Sequence, residues 1–131
     1  MTFARRLAIL AGVVLPIGEI ARRWNQLADP RLFFAWFDDI LIGAFLLYGA
    51  WRAGRDAAAG QATLAAAWGF TLAIAVASFF AGVFGDADPT GAPRVIVVAI
   101  KGAMLALAIA ALVSVLRWTP PGVRERGRSG G

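Results

Sequence analysis

The chain contains no cysteine and no histidine. The first absence excludes disulfides, thiolate nucleophiles and Cys-ligated metals. The second removes the commonest metal ligand, and the side chain that most often acts as general base near neutral pH. Lys101 is the sole lysine and Tyr48 the sole tyrosine. Charged residues make up 16% of the chain, against roughly 25% in a typical soluble protein. The available chemistry is that of carboxylates, arginine, one amine, hydroxyls and tryptophan. We therefore expect no catalytic residue set, no metal site and no cofactor.

What the chain has in abundance is apolar surface. It is 60% hydrophobic and its mean hydropathy is +0.70. A soluble domain is usually about 45–50% apolar. Lipid is the solvent in which such a chain avoids aggregation, so membrane lipids are its expected surroundings. The formal net charge is +5, but the basic residues fall between and beyond the apolar runs. That pattern encodes membrane topology rather than a nucleic-acid surface.

A helix needs about 20 apolar residues to cross the hydrocarbon core. Four segments meet or approach this, at about 3–24, 31–51, 62–85 and 94–117. The expected fold is thus an all-α integral membrane protein, a four-helix up-down-up-down bundle with short loops. It forms a single domain over 1–118, followed by a basic tail at 119–131 expected to be disordered. The first segment spans only if Arg5, Arg6, Arg22 and Arg23 snorkel to the two surfaces. It resembles a signal peptide in its basic start. Yet Glu19 and Ala21 would occupy the positions where cleavage needs small residues, so a retained helix is expected. Asp29-Pro30 suits a helix start, as does Pro93, and Pro120-Pro121 suits a helix stop.

Four crossings place both termini on one side. Arg5, Arg6, Arg52, Arg55, Arg117, Arg124, Arg126 and Arg128 lie near that side, and Arg22, Arg23, Arg31 and Arg94 near the other. The bias favours cytoplasmic termini. The Arg-, Ala- and Gly-rich usage suggests a GC-rich bacterium, hence its inner membrane.

Small residues let helices approach closely in lipid. The third segment carries Ala65, Gly69, Ala73, Ala77, Ala81 and Gly85 at four-residue spacing. The fourth carries Gly102, Ala106, Ala110 and Ser114, and the second contributes Gly43. These are expected to be packing seams, or one of them a face toward another subunit.

Glu19, Asp38, Asp39 and Lys101 interrupt the apolar runs at similar depth, roughly 7–12 Å inside one end of their helices at 1.5 Å per residue. A lone charge at the bilayer centre costs about 2.5–3.5 kcal/mol, so such groups face the interior and pair. Lys101 is expected to answer Asp39, above the room left by Gly43. Arg22 or Arg23 would reach Asp38, and Arg23 would also serve Glu19. In one reading this layer fixes helix register. In the other, two adjacent acids in a medium of low dielectric make a proton or cation site.

Small multidrug transporters, fluoride channels and the membrane-bound glutathione and eicosanoid enzymes are of comparable size. The motifs of these families are missing here. The leading expectation is a small, non-catalytic structural or accessory subunit that joins another membrane subunit or its own copies. The alternative is a proton- or cation-coupled carrier working as a homo-oligomer. A membrane enzyme acting on lipid comes third.

Overall fold

The computed structural model describes residues 1–22, 24, 33–85 and 93–119. Four helices account for nearly all of them: α1 (Thr2–Arg22), α2 (Phe33–Arg55), α3 (Ala57–Phe84) and α4 (Arg94–Leu116). No strand occurs among the described residues. Asp29-Pro30, Pro120-Pro121 and nearly all of the 119–131 tail lie outside them.

The helices follow the expected segments except where α2 meets α3. The sequence suggests a loop over roughly 52–61. Instead α2 runs to Arg55 and α3 begins at Ala57, with Asp56 alone between them. Asp56 explains the economy. Its backbone is extended and its carboxylate accepts hydrogen bonds from the Ala58 and Ala59 amides, at 2.9 and 3.0 Å. A capping carboxylate of this kind satisfies amides that a helix start leaves unpaired. The alanines that follow are the best helix formers, so the helix starts at once.

Neighbours in sequence pack against one another, α1 on α2, α2 on α3 and α3 on α4, while α1 and α4 touch sparsely. Each connection reverses the chain, so the end of the bundle that holds Met1 also holds the α2–α3 joint and Trp118. That end is tightly built. Ala4 and Ala8 of α1, Leu46 and Ala50 of α2, Leu64 and Ala67 of α3, and Ala111 and Val115 of α4 are almost fully buried there. Long side chains tie it further. The Arg5 Nε donates to the Ala50 carbonyl at 3.1 Å. The Trp68 indole donates to the Ala4 carbonyl at 3.2 Å. The Gln61 amide donates to the carbonyls of Val115 and Trp118, both at 2.9 Å. Such carbonyls at a helix C-terminus have no partner within their own helix.

The seam between α1 and α2 is close. A Cβ added at Gly43 would stand 2.4 Å from the Pro16 ring and 2.8 Å from the Gly12 carbonyl oxygen. Pro16 lies inside α1, has no amide hydrogen, and so cannot donate to the carbonyl of Gly12. Gly43 lets α2 close over that gap. At Gly102, by contrast, a Cβ would stand 3.4 Å from the Phe79 ring, an ordinary van der Waals contact that does not require glycine.

The other expected seam residues lie elsewhere. Ala73, Ala77 and Ala81 of α3 are exposed, as are Ala106 and Ala110 of α4. Ala65 and Gly69 are half-buried, and a Cβ added at Gly69 would meet nothing within 4 Å. Within one copy, Ala65 packs against the core, while Ala73, Ala77 and Ala81 lie on the outer surface. The buried α3 residues are Gly60, Leu64, Ala67, Trp68 and Thr71.

Two helices, α3 of 28 residues and α4 of 23, are both long and apolar enough to cross a membrane. Charged residues fall within the other two, Arg5, Arg6 and Glu19 in α1 and Asp38, Asp39 and Arg52 in α2.

Candidate functional site

Toward the end of the bundle away from Met1, the described residues surround a cavity. Where α1 and α4 diverge, a cleft opens with α3 as its floor. Its wide mouth, about 460 Å³, is lined by Gly18 and Glu19 of α1, Asp39 of α2, Ser78 of α3, and Val97, Ile100 and Lys101 of α4, among others. A recess of about 80 Å³ continues inward between Leu15, Asp39, Ile42, Thr71, Ser78 and Lys101. That is room for several waters, since one needs roughly 10–15 Å³ of such space. Leu15 and Met104 then lead to an apolar groove of about 310 Å³ along the α1–α4 seam. Leu7, Leu10, Val14, Trp68, Ala75 and Leu107 are among its walls.

Each polar side chain arrives from a different helix. Glu19 sits near the C-terminal end of α1 and is buried, only 8% exposed. Asp39 is half-buried on α2. Lys101, one turn or more into α4, lies across α3, with Nζ 3.5 Å from where a Gly82 Cβ would stand. Thr71 is buried and its hydroxyl donates to the Ala67 carbonyl at 2.8 Å.

Of the four charged residues expected at one depth, Glu19, Asp39 and Lys101 line the same cavity. Asp38 does not line it and is exposed. The two aspartates part because successive residues of a helix point about 100° apart. Glu19 and Asp39 have further polar partners. The side chains of Arg22 and Arg23, expected beside the acids, are outside the described residues. No group of three or more acidic side chains placed to hold a metal occurs among the described residues.

Thr71, Ala75 and Ser78 were not singled out by the sequence reading, yet all three line the recess. Their spacing of four and then three residues puts them on one face of α3. That was the available signal, hidden because α3 carries no charge to draw attention to it.

No protein-family model matches the chain, and none of the curated proteins or solved structures matches it.

Proposed function

We propose that the protein is a small, non-catalytic integral membrane protein that crosses the bilayer four times and serves as a structural or accessory subunit. The observation that carries this reading is the delivery of Glu19, Asp39 and Lys101 by three helices to one cavity. Charges that line the interior let otherwise interrupted helices sit in lipid. Arg5, Arg6, Arg52 and Arg55 stand near helix ends, where long basic side chains reach the surface. At 1.5 Å per residue α1 is about 31 Å long and α2 about 35 Å, enough for a core of about 30 Å. Asp38 then lies roughly 8 Å from the start of its helix, at the level where a carboxylate can reach headgroups.

The excess of arginine around the termini and the α2–α3 joint supports a cytoplasmic face there, in a bacterial inner membrane. The outward-turned Ala73, Ala77 and Ala81 support association with a further membrane chain, because small residues are what helices in lipid pack through. Native mass spectrometry after gentle extraction from the source membrane tests the role. A complex with one or more foreign chains is the expected result. A homo-oligomer without any would put the carrier reading ahead of the accessory one.

The recess favours a second reading, a proton- or cation-coupled carrier. It joins a carboxylate, two hydroxyls and an amine around a space large enough for water. In that case Asp39→Asn abolishes ion-coupled flux in proteoliposomes while the protein stays monodisperse. Asp38→Asn, on the outside of the bundle, leaves flux intact.

A further inference from the structure

The polar mouth and the apolar groove belong to one cleft, and polarity falls along its length. Glu19, Asp39, Ser78 and Lys101 surround the outer end. Leu7, Leu10, Val14, Leu107 and their neighbours surround the rest, with little polar surface. The two parts are continuous through Val14, Leu15 and Met104, which line both. The cleft also opens sideways, since α1 and α4 scarcely touch. Its shape and chemistry are those of a receptor for an amphiphile entering from the side.

We propose that this cleft binds one phospholipid whose headgroup is zwitterionic and carries a primary ammonium, with an acyl chain along the α1–α4 seam. Charge complementarity selects the headgroup. Among the described residues the mouth offers one cation and two carboxylates, so a ligand with both signs satisfies it. The phosphate goes to the Lys101 amine, which has three donors, and to the Ser78 hydroxyl. The ammonium donates to Glu19 and Asp39. Each carboxylate accepts several hydrogen bonds, so both keep the partners they already have. A headgroup that is only anionic meets two carboxylates. A quaternary ammonium has no N–H to donate. This inference rests on the membrane reading, and its failure is separable from that one, because the number of crossings is read by cysteine accessibility whether or not lipid binds.

The test uses the full chain, delipidated in detergent and offered equal amounts of phosphatidylethanolamine, phosphatidylglycerol and phosphatidylcholine with identical acyl chains. Retained lipid is read by native mass spectrometry. One phosphatidylethanolamine per chain is expected, held at least fivefold over either competitor. Glu19→Gln combined with Asp39→Asn removes that preference, whereas Lys101→Met, whose partner phosphate is common to all three lipids, lowers the retention of each. Leu10→Trp, at the exposed rim of the groove, reduces retention at least fivefold, while Ile109→Trp, an equally large change outside the cleft, leaves it unaltered. Size-exclusion profiles matching the wild type show that each variant is folded. Equal retention of the three lipids, no retained lipid, or full retention by Leu10→Trp overturns the proposal.

Discussion

Single residues decide how closely these helices can lie. Gly43 is one such case, because its Cα faces the Pro16 ring and the Gly12 carbonyl with no space for a Cβ. Gly43→Leu is expected to cost about 1–3 kcal/mol through overpacking, read as a lower midpoint of unfolding in mixed micelles. An unchanged midpoint would mean that α1 and α2 separate without penalty. Trp68 acts through its indole N–H, which reaches the Ala4 carbonyl. Trp68→Phe keeps most of the ring and loses the bond, for an expected loss of about 0.5–1.5 kcal/mol in the same assay. Gly82 bears on Lys101, whose stem passes over it. Gly82→Leu is expected to push the amine out of the cavity, so that a labelling reagent for amines modifies Lys101 faster than in the wild type.

At the scale of elements, the joint between α2 and α3 is the least forgiving connection described. Asp56 supplies both hydrogen bonds that begin α3. Asp56→Ala is expected to destabilise by about 1 kcal/mol, and Asp56→Asn by less, since the amide oxygen still accepts. Equal losses for the two variants would show that the charge matters and the cap does not. The helices themselves were legible from long apolar runs, which set their number and order. This joint was not, because Gly60 and the run of charges at 52–56 suggest a loop. What the sequence does not display is that Gly60 packs directly on the Ala53 backbone, which folds α3 back on α2 without one. The small stripe of α3 is less legible for a related reason. Four-residue spacing identifies a face but not its neighbour, and Ala73, Ala77 and Ala81 turn outward. Within the candidate site, charge marked Glu19, Asp39 and Lys101. It could not say that Asp38 would be left outside, because one residue of helical phase separates the two acids. Thr71 and Ser78 lay in an uncharged helix and gave only a weak periodic signal.

At the scale of the whole molecule, the four-crossing arrangement is open to a clean experiment because the chain has no cysteine of its own. Single cysteines at Thr2, Ala59 and Thr119 are expected to react with an impermeant maleimide only from the cytoplasmic face, and those at Trp24 and Arg94 only from the opposite face. Labelling of Trp24→Cys from the same side as Thr2→Cys would mean that α1 does not cross.

Among the described residues, Arg5, Gln61 and Trp68 tie the helices together at the end where the chain begins and α4 ends. Under a mechanical load applied through the two termini, force enters at these ties. Their rupture should therefore set the force at which the molecule first gives way.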